Sequence, residues 1–306
     1  MAGQLWEVAP DGEASSAPSA DTDTVFDLAS LTRPVTALLL ARLERQGIVS
    51  RSQTLGEIRP ELAGTPTGGV TLDVLLAHRA GLEAHIEFFI KQAGVVQASP
   101  ETVFARAAAA RRAECGGPLP PGGFDAVYSD LGYILAGAAI ERAAGASLGE
   151  LVARELSGPL DLRLGAMAQL GAEASLGPVA PTEHVLWRGG VLRGVVHDEN
   201  AWVLADRGSA GHAGMFGDAE SVAGLGIAVV DALAGRGDAW LRAQDIEPLI
   251  RRRRPGGPGQ SYCAGFERRT NPNPSSGVAF GMETFGHLGF TGTSLWIDPD
   301  AQLVGV

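Results

Sequence analysis

The stretch VFDLASLTRPVTALLLARLERQGI, residues 25–48, contains the clearest helix pattern of the chain and places the first candidate site. Pro34 lacks a backbone N–H, so it fits a helix only near the first turn, where those donors have no intrahelical partner. Apolar residues then follow with helical spacing at Val35, Leu38, Leu39 and Leu43. Gly47 is expected to end the helix. The sequence therefore predicts a helix that starts close to Ser30.

Ser30 and Arg33 form the first candidate site because both lie at the amino-terminal end of this helix. Free N–H groups and the helix dipole favour the negative charge that develops when a serine oxygen attacks a carbonyl group. A residue three positions later lies on the same helix face and can contact that oxygen. Taken alone, however, such a pair is more often an ordinary capping serine followed by a surface arginine.

Composition excludes several classes of partner. The 306 residues are 45% hydrophobic and 19% charged, with a net charge of −11, which argues against nucleic acid or an anionic membrane as the main partner. No apolar run reaches about 18 residues, so no membrane-spanning helix is expected. The amino terminus has no basic region followed by an apolar stretch. We therefore expect a globular, cytoplasmic protein.

Cysteines and histidines give no sign of a disulfide framework, a metal or a cofactor. Cys115 and Cys263 lie far apart, outside any C-x-x-C pair, and are expected to be free thiols. The histidines near the segment HDEN, residues 197–200, lack the tight spacing of metal ligands, so that segment is expected to form structural hydrogen bonds. Lys91 is the single lysine among 24 basic residues.

Strand patterns lie at the two ends of the chain, and helix patterns occupy its middle. Short strands are predicted at residues 4–9, 261–267, 278–282 and 293–298, with a polar connection after the first. Helices are predicted at residues 100–113, 128–145, 147–156 and 218–234. This order favours an α+β fold with two lobes: an antiparallel sheet built from both chain ends and flanked by helices, with an inserted helical lobe.

The predicted organisation is a single domain over residues 1–306. Residues 1–70 and 200–306 would form the α/β lobe, and residues 71–199 the mostly helical lobe. The chain ends on an apolar run, SLWIDPDAQLVGV, directly after a turn. We therefore expect that a carboxy-terminal strand or helix is missing, or that a partner covers this edge.

Five segments in order resemble the serine β-lactamase and penicillin-binding protein superfamily, and its class C β-lactamase-like, esterase-like branch in particular. They are FDLASLTRP, LLAHRAGL, PGGFDAVYSDLGYILAG, GHAGMFGDAESVA and FGHLGFTGTSLWIDP. Each segment is weak evidence alone, but together they run from about residue 24 to the end of the chain. The resemblance implies the two-lobed fold of that superfamily and acyl transfer through a serine.

The resemblance assigns roles to three residues in the first half of the chain. Ser30 matches the acylated serine of the S-x-x-K motif. Tyr128 matches the tyrosine of the Y-x-N motif, which helps to move the serine proton. Asp130 stands where asparagine is commoner in that motif. Its expected role is substrate binding.

A second set of roles falls on the segment 287–290. His287 and Gly289 match the K-T-G or H-x-G motif on the strand that lines the pocket. The backbone N–H groups of Ser30 and Phe290 are expected to form the oxyanion hole. The segment GHAGMFGD, which contains His212, and His78 in LLAHRAGL are expected to support nearby loops rather than to react.

Arg33 is the main departure from the superfamily, whose members carry a lysine there. A guanidinium stays protonated at any relevant pH, so it cannot accept the serine proton, although it supplies a fixed positive charge. The leading hypothesis is a serine hydrolase that transfers an acyl group from a small ester or amide, with activity impaired by Arg33. The alternative is a non-catalytic homologue that binds a ligand or a partner. A third possibility is a truncated, poorly stable product.

Overall fold

The computed structural model describes residues 3–8, 14–89, 99–171, 178–204, 209–236, 240–253, 259–270 and 272–306. Lys91 lies outside these ranges. The helices, in chain order, are α1 (Thr32–Arg45), α2 (Leu55–Ile58), α3 (Leu72–Leu76), α4 (Pro100–Ala109), α5 (Asp130–Ala144), α6 (Leu148–Val152), α7 (Gly158–Leu160), α8 (Met167–Leu170), α9 (Glu199–Val203), α10 (Ala219–Leu233) and α11 (Ala243–Ile250).

The strands of the described ranges form four small antiparallel sheets. They are β1 (Gly3–Val8), β2 (Ala14–Ala20), β3 (Phe26–Asp27), β4 (Leu164–Ala166), β5 (Pro181–Val185), β6 (Gly190–Arg193), β7 (Met215–Gly217), β8 (Glu267–Arg268), β9 (Phe285–Leu288), β10 (Ser294–Asp298) and β11 (Leu303–Gly305). The largest sheet has the order β11-β10-β9-β8, and a second has the order β3-β7-β4. Two hairpins, β1–β2 and β5–β6, complete the set. This mixture of helices and antiparallel sheets confirms the predicted α+β class.

Helix α1 lies in the middle of the hydrophobic core, as its apolar spacing predicts. Leu38, Leu39 and Leu43 are fully buried. The helix contacts α5, α6 and α11. A short 3-10 turn, Ala29–Leu31, precedes α1, so Ser30 lies directly before the helix, and Gly47 follows it with a left-handed φ of 74°. Pro34 is thus in the first turn, where its missing N–H costs no hydrogen bond.

The pairing of the amino-terminal strand differs from the expected single sheet. Within the described residues, β1 pairs with β2, and the carboxy-terminal strands pair with one another. The segment that we expected to be a polar connection is β2, which gives β1 a partner only a few residues away. A short loop costs less conformational entropy to close than one that joins the two ends of the chain.

Two further predicted elements differ from the structure in type or in their bounds. Residues 278–282 form turns rather than a strand, and β9 begins only at Phe285. The helix predicted from residue 128 begins at Asp130 and ends before Gly145, which has a left-handed conformation. Both cysteines are free and buried, as expected. Among the described residues, no helix is long and apolar enough to cross a bilayer. The division into two lobes stays a prediction.

Candidate functional site

Ser30 stands where the backbone turns sharply from β3 into α1. Ala29, the residue before it, has a φ of 45°, a left-handed value that residues with a side chain seldom adopt. The turn leaves Ser30 half-buried. The Ser30 Oγ atom accepts a hydrogen bond from Arg33 Nη1. The predicted contact between positions 30 and 33 is therefore present.

Arg33 is almost fully buried, with 1% of its surface exposed, and its guanidinium group is held from several sides. Besides Ser30, Nη1 donates to the carbonyl oxygen of His212 at 3.1 Å. Nη2 donates to the carboxylate of Asp130 in a buried ion pair. The guanidinium carbon lies 4.4 Å from the ring centroid of Tyr128. Arg33 is thus a fixed cation in the centre of the candidate site and not a surface residue.

Tyr128 lies in the loop before α5 and reaches both Ser30 and Arg33. Its ring lies against the Arg33 guanidinium, and the Ser30 side chain is close enough to the phenol to affect its pKa. Burial raises the pKa of Tyr128 above its usual value of 10, although the Arg33 charge and the Ser30 side chain act in the opposite direction. The phenol is therefore protonated near neutral pH. Its proximity to Ser30 matches the arrangement that the resemblance implies.

Two neighbouring rings, those of His78 and Tyr262, pack against Tyr128. The His78 ring lies 4.7 Å from the Tyr128 ring, and its Nδ1 atom accepts the backbone N–H of Ser129 at 3.0 Å. His78 itself has a left-handed φ of 59°. The Tyr262 ring packs 5.7 Å from Tyr128. His78 thus supports the loop, as we expected, whereas no pattern in the sequence indicated Tyr262.

Asp130, the first residue of α5, lies against Arg33 and His85. Its second carboxylate oxygen is 2.9 Å from His85 Nδ1. Burial favours the neutral acid, but the His85 hydrogen bond and the Arg33 charge outweigh it and lower the pKa of Asp130. The hydrogen bond to Asp130 in turn raises the pKa of the exposed His85. Asp130 is therefore an ion-pair partner of Arg33. Its role in substrate binding stays a prediction.

His287 lies on β9 and faces the site as a neutral imidazole. Its ring centroid is 5.9 Å from that of Tyr128, and its Nδ1 atom is 2.7 Å from the carbonyl oxygen of Leu288. Burial, together with the Arg33 charge, lowers the pKa of His287 to about 3. A neutral ring beside the site offers polarity but no charge for a substrate carboxylate.

The end of β9 approaches the Ser30 turn closely at Gly289. A Cβ atom on Gly289 would lie 2.8 Å from the carbonyl oxygen of Leu28, so only glycine fits there. Phe290 follows, with 83% of its surface exposed and its ring stacked on His197 at 5.5 Å. The segment 287–290 and Ser30 are therefore adjacent, as the oxyanion hole requires; that role stays a prediction.

Asp198 and His212 form a second polar pair near Arg33, in which His212 is buried and Asp198 is partly exposed. His212 Nε2 lies 2.8 Å from Asp198 Oδ1, and that carboxylate also accepts the N–H of Ala201 at the start of α9. Burial opposes the charge on Asp198, but the interactions with His212 outweigh it and lower the pKa of Asp198. The segment 197–200 thus forms the structural hydrogen bonds that we expected. Within the described ranges, no group of three or more His, Cys, Asp or Glu side chains could hold a metal ion.

Comparison with known proteins agrees with this fold. The protein-family model Beta-lactamase matches residues 5–306. A relative from Salmonella agona (strain SL483), named "Putative D-alanyl-D-alanine carboxypeptidase", is 28% identical over 304 residues, which cover 92% of this chain and 68% of the relative.

Solved structures show the same fold. A penicillin-binding protein homolog from Caulobacter crescentus superposes with a TM-score of 0.69 at 23% identity and covers 99% of this chain and 84% of its own. EstCE1, described as a hydrolase with promiscuous acyltransferase activity, superposes with a TM-score of 0.68 at 18% identity and covers 99% and 86% of the two chains. The family match, which spans nearly the whole chain, shows that this protein belongs to the Beta-lactamase family.

Proposed function

We propose that this protein is a serine hydrolase that acts by acyl transfer on a small ester or amide, with Ser30 as the nucleophile. The observation that carries the proposal is the convergence of Arg33 and Tyr128 on Ser30: the guanidinium donates to Ser30 Oγ and lies against the Tyr128 ring. The family to which the chain belongs is one of serine hydrolases, and one structural neighbour is described as a hydrolase with acyltransferase activity.

The proposed reaction has two acyl-transfer steps. Ser30 Oγ attacks the carbonyl carbon, and its proton passes to the Tyr128 phenolate. The carbonyl oxygen becomes an oxyanion, which accepts hydrogen bonds from the N–H groups of Ser30 and Phe290. When the tetrahedral intermediate collapses, the leaving group departs with the proton from Tyr128. Water then attacks the acyl carbon while the Tyr128 phenolate takes one of its protons. When this second intermediate collapses, the bond to Ser30 Oγ breaks, the proton returns to Oγ and the acid is released.

In the acylation step, Arg33 can stabilise the negative charge on Ser30 Oγ but cannot accept the serine proton. Its Nη1–H group donates to Ser30 Oγ and favours the negative charge that develops there. It cannot accept the serine proton, because a guanidinium stays protonated. Only the small phenolate fraction of Tyr128 is a base near neutral pH, since burial raises the pKa of this phenol. We therefore expect slow acylation near neutral pH.

The charges around Ser30 favour a substrate without a carboxylate. The Arg33 cation is paired with Asp130, and His287 is neutral. A substrate carboxylate would lose its hydration without gaining a cation from either residue. An uncharged ester or amide avoids that cost, so it is the proposed substrate class.

The test is covalent labelling with a fluorophosphonate, followed by intact-mass and peptide mass spectrometry. We expect one adduct on Ser30, lost in Ser30→Ala and kept in the matched control Ser52→Ala, whose serine lies in an exposed turn. An unlabelled wild-type protein at saturating probe, or an adduct that persists in Ser30→Ala, would refute the proposal.

A second candidate function is non-catalytic binding in the same pocket. The buried ion pair between Arg33 and Asp130 favours it, because this pair fills the position of a titratable amine with a cation that cannot release its proton. In that case the folded protein would stay unlabelled by the fluorophosphonate yet bind an uncharged ester reversibly without hydrolysing it, which isothermal calorimetry would detect.

A further inference from the structure

Asp27 connects the segments that carry the two expected oxyanion donors. It lies on β3, three residues before Ser30, and is 2% exposed. One carboxylate oxygen accepts the N–H of Ala29 at 2.8 Å, and the other accepts the N–H of His197 at 2.7 Å. Its carbonyl oxygen accepts the hydroxyl group of Thr291 at 2.6 Å. Asp27 thus contacts the residue before Ser30 and the residue after Phe290.

The turn before Ser30 contains Ala29 in an unfavourable backbone conformation, so it needs a stabilising contact. Its φ of 45° lies in the left-handed region, which disfavours residues with a Cβ atom. The hydrogen bond from its N–H to Asp27 holds the peptide in that conformation. Asp27 is itself anchored, because β3 pairs with β7 and places Asp27 opposite Phe216.

His197 extends the connection to the other side of the pocket. Its backbone N–H donates to Asp27, and its ring stacks on the exposed ring of Phe290. Phe290 is therefore held from two sides that both lead back to Asp27: through Thr291 along the chain and through the stacked His197 ring.

We propose that Asp27 is a positioning residue that sets the separation between the backbone N–H groups of Ser30 and Phe290. This inference rests on the proposed function, in which those two groups bind the oxyanion. Oxyanion stabilisation depends on donors that are already in place before the reaction, so a displacement of one peptide lowers the rate of acylation more than the binding of substrate.

The first test compares Asp27→Asn with Asp298→Asn. Asp298 is a matched control, because it is also 2% exposed and accepts backbone N–H groups, those of Gly281, Asp300 and Ala301, away from the site. Asparagine keeps one acceptor but turns an N–H₂ group toward the second donor. We expect acylation about ten- to a hundredfold slower in Asp27→Asn, with unchanged probe affinity, and an unchanged rate in Asp298→Asn. Equal rates in wild type and Asp27→Asn would overturn the inference.

A double-mutant cycle with Ala29→Gly separates positioning from general stability. Glycine adopts a positive φ without help, so Asp27→Asn should slow acylation less in the Ala29→Gly background than in the wild type. An equal loss in both backgrounds contradicts the role of the Ala29 bond. If Asp27→Asn does not fold, Thr291→Val removes the contact on the Phe290 side and should also slow acylation; a wild-type rate there overturns the inference.

Crystal structures of wild type and Asp27→Asn test this inference independently of the proposed function. If wild-type protein is not acylated at all, the proposed function fails, but the geometry can still be measured. The distance between the Ser30 and Phe290 nitrogen atoms should change by about 0.5 Å or more between wild type and Asp27→Asn. An unchanged distance overturns the positioning role whatever the protein's activity.

Discussion

The Arg33 guanidinium and the Asp130 carboxylate form a buried ion pair beside the Ser30 hydroxyl group. In the superfamily that the chain resembles, the first position carries lysine and the second more often asparagine. The two departures therefore meet in space, 97 residues apart in sequence. The carboxylate compensates a cation that has almost no contact with water, so the charges of the two residues complement each other.

Removal of the carboxylate should destabilise the fold. Asp130→Ala leaves the buried Arg33 charge without its partner, which we expect to lower the free energy of unfolding by about 3–5 kcal/mol. Urea denaturation monitored by circular dichroism measures this loss. Asp231→Ala is the control, because its pair with Arg236 is about half exposed and should contribute about 1 kcal/mol or less. Similar losses in the two variants would contradict the account.

The acylation rate should rise with pH when Tyr128 accepts the serine proton. Burial raises the pKa of this phenol, so the phenolate fraction grows throughout the range from about pH 6 to about pH 10. Stopped-flow kinetics with an activated ester measures the profile. Tyr128→Phe should be slower and lose the alkaline rise. The control is Phe280→Tyr, which adds a phenol elsewhere in the protein and should keep the wild-type profile. A flat wild-type profile would exclude Tyr128 as the base.

Acid should destabilise the protein through His287. Its folded-state pKa, about 3, lies below the usual value, so the unfolded state binds the proton first. Stability is therefore highest above about pH 6.5 and falls as the pH drops toward about 3, by up to about 1.4 kcal/mol per pH unit for this group. Urea midpoints at several pH values test this.

The control for the acid effect is the exposed His184. His287→Asn should lose part of the pH dependence of the urea midpoint, whereas His184→Asn should retain the wild-type dependence. The expectation fails when His287→Asn and wild type show the same slope.

A matched pair of esters tests the proposed substrate class. Two p-nitrophenyl esters of equal length, one with a terminal methyl group and one with a terminal carboxylate, differ chiefly in charge. Because Arg33 is paired and His287 is neutral, kcat/KM should be higher for the uncharged ester. A clear preference for the carboxylate would show that a cation in the pocket is available after all.

Local patterns in the sequence predicted the elements that carry Ser30. Pro34 and Gly47 delimit α1 because their backbone restrictions act within one turn, and the contact between Ser30 and Arg33 follows from helix geometry alone. Gly145 ends α5 for a similar local reason. The placement of Tyr128 and His287 beside Ser30 came from the resemblance and not from any local pattern.

Contacts between distant segments could not be predicted from the sequence. His85 meets Asp130 across 45 positions, and the backbone of His197 meets Asp27 across 170. No periodicity connects such pairs, because each arises only when separate elements pack together. Strand β2 was missed for a different reason: the segment 14–20 is polar and small and lacks the alternation of apolar residues that indicates a strand.

The most direct test of the central claim compares the acylation rate of wild type with that of Arg33→Lys and of Arg33→Lys/Asp130→Asn. A lysine beside the Asp130 carboxylate would hold its proton, so the single variant should gain little. Without the carboxylate, the buried amine can release its proton and act as a base, and we expect Ser30 to be acylated about a hundredfold faster than in wild type. A folded double variant that reacts no faster than wild type would contradict the claim that the ion pair between Arg33 and Asp130 limits the reaction.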